Sequence, residues 1–359
     1  MSARRIEGIR VAGIASAVPE TIATLEEDAK HFGEDEMRRV AKNIGVRRRH
    51  IAKHLCASDL AQAAAIRLMR DLDWDPMSID VLVYVTQCPD FPAPSTACVI
   101  QTRLGLGTHC AAFDVNLGCS GYTYGLWMIA SLLGGGMKRG LLLVGDTASR
   151  AASPHDRAVV PLFGDAASAT AVEVREGAPR MDFILGTDGR GAKHLNSRAG
   201  GYRHPWTPAS TELRLGDDGV MRSDQHTYMN GAEVLTFAIQ EVPKLVNAMR
   251  AAREWREEDV DAYVFHQASS FMLRTVARLA KLPIAKVVME LENYGNTSVA
   301  SIPLAISAGL GATLSKDKQK LILVGFGIGW SWAAAAVEFG PIVMPEVLVV
   351  PDVHFEPEF

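Results

Sequence analysis

Cys119 stands where an apolar run gives way to a turn of small residues. The segment 114–126 reads DVNLGCSGYTYGL, and apolar residues at helical spacing follow it. A thiol at a helix N-terminus faces unpaired backbone N–H groups and the positive end of the helix dipole, which favours its thiolate form. The pattern therefore predicts a nucleophile. A buried, unreactive thiol at a strand–helix junction is the alternative that this segment alone leaves open.

Two further polar residues follow apolar runs in the second half of the chain. His266 comes directly after a buried-type strand in the sequence VFHQAS, which is a suitable place for a site. Taken alone, such a histidine is more often hydrogen-bonded within a core. Asn296 lies in the sequence GNTS, which opens a helix and by itself indicates a capping turn. The same residues match a glycosylation pattern, which we set aside because nothing suggests secretion.

Length and composition restrict the class of protein. A chain of 359 residues is too long for one ordinary core, so we expect two domains or two halves of one unit. The formal net charge of −4 argues against a general nucleic-acid or membrane-surface role. Five cysteines without a CxxC pair argue against a metal site and a disulfide framework, and fit a reducing cytoplasm.

Targeting and membrane segments are not indicated by the sequence. Residues 1–10 are basic but lack the apolar stretch of a secretory signal. No apolar run reaches membrane-spanning length. We therefore expect a cytoplasmic protein.

An internal repeat divides the chain into two halves. Trp74 and Trp255 are each followed, six positions later, by an aspartate that opens an apolar run. A second apolar run appears in each half, GLLLVG at 140–145 and KLILVG at 320–325, at nearly the same offset from that aspartate. Three matches at one offset predict a duplicated fold. We place the halves at residues 1–179 and 180–359, with a linker at 174–179.

The fold class follows from the type of strand. The runs are continuously apolar, which is typical of a sheet covered by helices on both faces. Helical patterns at 58–72, 232–251 and 270–281 supply those covers. Each half is therefore α/β, with functional residues expected at strand ends. Residues 186–224 are rich in Gly, Arg, His and Pro, and predict a long ordered loop over the active-site face, or else a mobile surface excursion.

Together, Cys119, His266 and Asn296 resemble the thiolase superfamily, and in particular the β-ketoacyl-acyl carrier protein synthase III type. The resemblance covers nearly the whole chain. It includes these short motifs, in this order: PSTAC at 94–98, the Cys119 segment, LFGDAASA at 162–169, MNGAEV at 229–234, HQA at 266–268, YGNTS at 294–298 and GFGIG at 325–329. It implies a five-layer αβαβα fold of two related halves, and typically a homodimer.

The resemblance also implies a reaction. Cys119 would attack an acyl thioester and hold the acyl group covalently. His266 and Asn296 would bind the carbonyl of a malonyl-type thioester and stabilise the enolate left by decarboxylation. Backbone N–H groups of Cys119 and of the stretch at Gly327 and Ile328 would form the oxyanion hole. No metal or redox cofactor is implied, and acyl-coenzyme A or acyl-carrier-protein thioesters would be the substrates.

Departures from the family pattern concern the carrier of the acyl group. Members that grip coenzyme A have a tryptophan and an arginine before a Gly-Ile-basic motif, and here those positions hold Arg39 and Asn43. A basic residue after the catalytic histidine is replaced by Phe271, with Arg274 one turn on. Coenzyme A recognition is therefore expected to be altered, which favours an acyl carrier protein or another thioester.

Basic residues are the candidates for contact with such a carrier. A basic run of this kind is usually only a solvated face. The candidate residues are Arg47, Arg48, Arg49, Lys53, Arg157 and Arg274.

The acyl pocket also departs from the family pattern. Members that take short primers carry a phenylalanine that closes the pocket across the dimer, and that position is Ala93 here, with Phe91 nearby. A small residue predicts room for a longer or branched acyl group. Relatives that join two long acyl chains place a glutamate near this position, and none lies between Phe91 and Ser95.

Three functions stay open at this point. The first is a condensing enzyme that forms a carbon–carbon bond between two thioester-bound acyl groups, in specialised metabolism. The second is an acyltransferase that passes the acyl group from Cys119 to an alcohol or amine, with His266 as general base. The third is a non-catalytic partner subunit, against which the intact Cys–His–Asn set argues.

Overall fold

The computed structural model describes residues 2–353 of the chain. Its helices are α1 (Leu25–Phe32), α2 (Glu34–Ile44), α3 (Ala57–Asp71), α4 (Thr96–Arg103), α5 (Gly121–Gly134), α6 (Pro208–Thr211), α7 (Gly231–Arg253), α8 (Ser270–Leu279), α9 (Leu291–Tyr294) and α10 (Ser301–Leu314). Short 3₁₀ turns cover Ser298–Ala300 and Ile328–Trp330, among others.

The strands fall into two large sheets and three short pairs. They are β1 (Arg4–Ile6), β2 (Ile9–Pro19), β3 (Ile22–Thr24), β4 (Arg48–His50), β5 (Val81–Val85), β6 (Ala111–Val115), β7 (Arg139–Asp146), β8 (Ala166–Val174), β9 (Met181–Thr187), β10 (Leu195–Asn196), β11 (Arg214–Leu215), β12 (Met221–Arg222), β13 (Tyr228–Met229), β14 (Ala262–Phe265), β15 (Gln319–Gly327), β16 (Ser331–Phe339) and β17 (Leu348–Val350).

The two large sheets repeat one topology. The first has the order β17-β2-β8-β7-β5-β6, and the second has the order β1-β9-β16-β15-β14. In each sheet a parallel pair (β5 with β7, β14 with β15) continues into two antiparallel neighbours. The duplicated fold predicted from the sequence is therefore present in four strands of each sheet, β2-β8-β7-β5 and β9-β16-β15-β14, while β6 extends the first sheet alone.

The repeated tryptophan and aspartate make the same kinds of contact in both halves. The Asp80 carboxylate accepts the Lys138 N–H at 2.7 Å, and the Asp261 carboxylate accepts the Lys320 N–H at 2.7 Å. Each aspartate therefore fixes the entry of the neighbouring parallel strand. A cation lies over each tryptophan ring, Arg139 over Trp74 and Lys320 over Trp255.

Helices and sheets stack in five layers. Helices α5 and α10 form the middle layer, because their apolar residues share one core with both sheets. Helices α3 and α4 cover the outer face of the first sheet, and α7 and α8 cover that of the second. Side chains alternate between the two faces of each strand, and both faces are buried. The α/β, thiolase-like five-layer arrangement is thereby confirmed.

The chain termini cross between the halves. Strand β1 pairs with β9 in the second sheet, although it belongs to the first half of the sequence. Strand β17 pairs with β2 in the first sheet, although it belongs to the second half. The division at residue 179 falls between β8 and β9, where the chain passes from one sheet to the other. The division at residue 179 therefore separates the two repeats along the chain, but each terminal strand pairs in the sheet of the other half.

Residues 186–224 form an excursion that is anchored at several points. They contain the small elements β10, α6, β11 and β12. Arg222 binds Asp156 at 2.9 Å, and Gly191 packs directly against the ring of Trp330. The excursion thus lies against the 3₁₀ turn 328–330 that follows β15. No helix among residues 2–353 is both long and apolar enough to span a membrane.

Candidate active site

Cys119 lies in the turn between β6 and α5, where the two halves meet. The Gly121 N–H bonds the Gly118 carbonyl at 2.6 Å, which closes the turn. A Cβ at Gly121 would lie 2.7 Å from a Val85 methyl group and 2.8 Å from a Val299 methyl group. The turn is therefore wedged between β5 of the first half and the loop before α10 of the second. Glycine is required there by this close approach.

The end of β15 meets Cys119 directly. A Cβ at Gly327 would lie 2.7 Å from the Cys119 Cβ and 2.8 Å from its Sγ. The Ile328 N–H also bonds the Cys119 sulfur. Two of the three positions that the resemblance assigns to the oxyanion hole, Cys119 and Ile328, therefore place a backbone N–H at the thiol. Gly327 contributes the space that its missing side chain leaves.

The proton state of Cys119 differs from the sequence expectation. Burial raises the pKa of the thiol to about 11, and the Asp146 carboxylate adds to the rise, while the Ile328 N–H opposes it. Cys119 keeps some accessible surface, but its Sγ lies too deep for that surface to offset the loss of hydration. The expected preference for thiolate is therefore wrong for the free protein, because desolvation exceeds the effect of the helix start.

His266 follows β14 and is buried as a neutral imidazole. Its N–H bonds the Val324 carbonyl at 2.8 Å, which fixes the backbone, and its Nδ1 lies 2.7 Å from the Ser301 Oγ. Burial lowers the pKa of the ring to about 4, although a hydrogen bond to the Ser298 carbonyl opposes that shift. At neutral pH the ring therefore has a free lone pair on one nitrogen and a proton on the other.

Asn296 connects the two halves through its backbone, and its side chain bonds within its own turn. Its N–H bonds the Leu162 carbonyl at 2.9 Å, and its carbonyl accepts the Gly164 N–H at 3.1 Å. The side-chain Oδ1 accepts the Ser298 N–H at 3.0 Å. Because the oxygen is engaged, the Nδ2 group is oriented as a donor.

Short contacts link the three polar residues into one region. The Phe326 ring lies edge-on to the His266 ring, with 5.8 Å between centroids, and the next residue, Gly327, touches Cys119. The Ser298 carbonyl bonds His266, and the Ser298 N–H bonds Asn296. The end of β15 and the turn at Ser298 therefore connect a thiol, an imidazole and an amide donor in one region.

Asp146, at the end of β7, is a neighbour of the site that the sequence analysis missed. It is 1% exposed, and it accepts the Thr86 hydroxyl at 3.0 Å and the Gln87 N–H at 2.7 Å. It also lies beside Ser298 and Val299, and burial raises the pKa of its carboxyl. The sequence feature that could have identified Asp146 is its place directly after the apolar run at 140–145.

Four of the five predicted carrier-binding arginines lie at the surface. Arg47 pairs with Glu292 at 3.0 Å, and Arg157 pairs with Glu36 at 3.1 Å. Arg47 and Arg274 line one cavity of about 490 Å³ between α2 and α8. Arg48 and Lys53 are exposed as well.

Arg49 is a correction to the set. It is 3% exposed, and its guanidinium binds both oxygens of Asp28, at 2.7 and 2.9 Å. A bidentate ion pair in the interior is not available to a carrier, so Arg49 has a structural role here. The residues predicted for the acyl pocket lie in the loop after β5, with Phe91 half-buried and Ala93 exposed.

Comparisons with known proteins agree with this arrangement. The family model of 3-oxoacyl-(acyl-carrier-protein (ACP)) synthase III matches residues 113–189, and the model of its C-terminal part matches residues 250–339. A β-ketoacyl-(acyl-carrier-protein) synthase III of Caldanaerobacter subterraneus is 34% identical over 300 residues, which cover 82% of this chain and 87% of that protein.

Solved structures give the same result. A 3-oxoacyl-(acyl-carrier protein) synthase of Burkholderia xenovorans LB400 superposes with a TM-score of 0.92 at 39% identity, covering 97% of this chain and 99% of the other. A 3-oxoacyl-(acyl carrier protein) synthase III of Pseudomonas aeruginosa PAO1 has a TM-score of 0.80 at 30% identity, covering 94% of this chain and 100% of the other.

Proposed function

Because the chain belongs to the 3-oxoacyl-(acyl-carrier-protein) synthase III family, we propose that it joins two thioester-bound acyl groups by decarboxylative condensation. Cys119 first takes the acyl group, and a malonyl-type thioester then receives it. The observation that carries this proposal is the convergence of the Cys119 thiol with the Ile328 N–H, beside a neutral His266. The thiol, imidazole, amide and backbone donors suffice for this chemistry, so the proposed reaction uses no metal or redox cofactor.

The first step is transfer of the acyl group to Cys119. With a thiol pKa of about 11 and an imidazole pKa of about 4, the resting pair is uncharged. The thiol proton passes to His266 as the sulfur attacks the thioester carbonyl. The N–H groups of Cys119 and Ile328 stabilise the oxyanion. The carbon–sulfur bond to the carrier then breaks, and the departing carrier thiolate takes the proton from His266.

The second step forms the carbon–carbon bond. His266 and the Asn296 Nδ2 donate hydrogen bonds to the carbonyl oxygen of the malonyl thioester. Loss of carbon dioxide leaves an enolate whose charge these donors stabilise. The enolate carbon attacks the acyl carbonyl on Cys119, the carbon–sulfur bond breaks, and the cysteine thiolate that leaves takes up a proton from water. The product is a 3-oxoacyl thioester.

An acyl carrier protein is the proposed carrier for at least one substrate. Arg47 and Arg274 share one surface cavity, and the apolar Phe271 lies exposed on the same helix as Arg274. Cations beside an apolar side chain suit an acidic helical partner. The charge-reversing variant Arg274→Glu is expected to slow acylation from a carrier-bound thioester several-fold and to leave acyl-coenzyme A unaffected. Lys244→Glu, an exposed change on the neighbouring helix α7 and outside this cavity, is the control.

A homodimer is proposed from the free edge of the first sheet. Strand β6 pairs only with β5 among the strands of residues 2–353, and all five of its residues are half-buried. An apolar edge strand invites pairing with a second copy. Sedimentation of the wild type and of Ala112→Pro, which removes a backbone donor from β6, tests this.

The acyl group and the pathway remain predictions. Ala93 supports a longer or branched acyl group, as expected from its size, and the altered positions Arg39 and Asn43 support specialised metabolism. Exclusive loading of an acetyl group, with no heavier adduct on Cys119, would exclude the longer or branched acyl group.

The central experiment follows the acyl group and the carbon dioxide separately. Wild type and Cys119→Ser are exposed to a panel of acyl thioesters and then to malonyl thioesters. We expect an acyl adduct on the wild type alone, followed by release of carbon dioxide. Cys98→Ser, a change at an exposed cysteine, is the matched control. Transfer of the acyl group to an alcohol or amine without carbon dioxide release would instead establish the acyltransferase, and absence of any adduct would establish a non-catalytic subunit.

A further inference from the structure

Ser301 contacts His266 from the second half of the protein. It is the first residue of α10, it is 2% exposed, and its Oγ lies 2.7 Å from the His266 Nδ1. Because Nδ1 is engaged by this hydroxyl, Nε2 is the ring nitrogen left to act on substrate. When the Ser301 hydroxyl accepts a hydrogen bond from Nδ1–H, Nε2 has the lone pair and can accept a proton. When the hydroxyl donates to Nδ1, Nε2 carries the hydrogen and can donate it.

The two proposed steps require opposite behaviour of Nε2. In acyl transfer, Nε2 accepts the Cys119 proton, so Nδ1 must carry hydrogen and needs an acceptor. In condensation, Nε2 must donate to the malonyl carbonyl, so neutral imidazole has a lone pair on Nδ1 and needs a donor there. A hydroxyl can serve in both ways, because it rotates between donating and accepting.

The other partner of the ring cannot do this. The Ser298 carbonyl also bonds His266, and a carbonyl only accepts. It therefore stabilises a ring nitrogen that carries hydrogen but gives nothing to one that does not. We propose that Ser301 is a positioning residue that stabilises both neutral tautomers of His266, so that one imidazole serves both half-reactions. Between the steps Nδ1 gives its proton to water and Nε2 takes one up from water, so the ring stays neutral and no net proton is gained. This inference rests on the proposed two-step function.

The structure offers a matched control on the same helix. Ser307 is also buried in α10, and its Oγ bonds the Ser16 Oγ at 2.8 Å, away from His266. Ser307→Ala therefore removes a buried hydroxyl pair of the same kind without touching the imidazole. Any effect that is common to Ser301→Ala and Ser307→Ala reflects packing or stability.

The test measures the half-reactions separately. The rate of Cys119 acylation is taken from the mass shift with an acyl thioester, and condensation from carbon dioxide released by the acylated enzyme with a malonyl thioester. For Ser301→Ala we expect condensation to fall about tenfold, as for one buried hydrogen bond lost, and acylation to fall less than about threefold. Ser307→Ala should leave the ratio of the two rates unchanged.

Conservative variants keep the result interpretable. Ser301→Thr retains the hydroxyl and is expected to restore the ratio, while Ser301→Cys, with a weaker donor of similar size, should give an intermediate ratio. If Ser301→Ala does not fold, Ser301→Cys carries the test. Equal loss of both rates in the folded variants overturns the inference. Absence of carbon dioxide release from the wild type would instead overturn the proposed function.

Discussion

The two halves use equivalent positions for different purposes. Asp80 and Asp261 stand at equivalent positions, since their N–H groups bond the carbonyls of Arg139 and Lys320 at the start of the neighbouring parallel strand. Counted from these aspartates, Val85 corresponds to His266, and Asp146 corresponds to Gly327. Val85 packs in the core between the sheets, whereas His266 is a buried imidazole. The Asp146 carboxylate accepts the Thr86 hydroxyl at 3.0 Å, whereas Gly327 leaves space beside Cys119.

The difference explains the uncharged state of the site. In the first half a carboxylate stands beside the strand end and locks the Thr86 segment. In the second half that place is taken by Gly327, which brings no carboxylate, so the imidazole at the strand end meets the Phe326 ring and its pKa falls by desolvation. A carboxylate there would hold a protonated ring, which cannot take a proton from Cys119. The duplication thus supplies a scaffold in one half and a base in the other.

The largest expected effect is on stability below neutral pH. The folded-state pKa of His266 is about 4 and the reference value is 6.5, so the unfolded chain takes up a proton that the folded chain refuses. Stability is therefore lost as the pH falls from about 6.5 to about 4, by about 3 kcal/mol from this group. The free energy of unfolding of wild type minus that of His266→Gln, measured across this range, isolates the loss.

The comparison of wild type with His266→Gln is needed because the contribution of Asp165 to stability has the opposite pH dependence. Burial raises the pKa of that carboxyl to about 6, so its contribution to stability falls as the pH rises toward 6. This contribution is common to both proteins and cancels in the comparison. A flat difference curve would contradict a neutral, buried His266.

The second effect tests the place where the halves touch. Position 327 corresponds to Asp146 in the first half, yet here a Cβ would lie 2.7 Å from the Cys119 Cβ. Gly327→Ala is expected to displace the thiol and slow acylation about 100-fold, as for a reacting atom moved by an ångström. The acylation rate is followed by mass shift. Gly329→Ala, where no atom would lie within 4 Å of the new Cβ, is the comparison for backbone effects of alanine at positive φ.

A third change places a carboxylate beside the imidazole of the second half. Phe326→Asp should raise the pKa of His266, because a neighbouring negative charge favours the protonated ring. Acylation near neutral pH should slow about tenfold, and its dependence on the deprotonated ring should move to higher pH. Phe326→Asn removes the same ring without adding a charge. Coincident pH profiles of the two variants would show that the charge at this position does not matter.

The smallest expected effect lies at Asp146 itself. Its charge raises the pKa of Cys119, so Asp146→Asn should lower that pKa and increase the rate of thiol alkylation at pH 8 several-fold. Asparagine keeps an acceptor for Thr86 and Gln87. Asp165→Asn, a second buried carboxyl of the same half, is the control, and equal acceleration in both variants would indicate general loosening.

Much of the fold was predictable because it depends on local patterns. The continuously apolar strands and the repeated tryptophan–aspartate spacing identified two duplicated α/β halves, and both aspartates fix a neighbouring strand. The motif around Cys119 and the residues His266 and Asn296 identified the family. The crossing of β1 and β17 between the sheets was missed, since short terminal strands have no periodic signal of their own.

The sequence by itself determined the duplicated fold, the family and the three polar residues that resemble its catalytic set. Only the tertiary structure decided their protonation and which neighbours they meet. Cys119 has a thiol rather than a thiolate because strands from both halves bury it, and Arg49 is withdrawn from the surface because Asp28 binds it inside. Desolvation and pairing depend on residues far apart in the chain, and no local pattern encodes them.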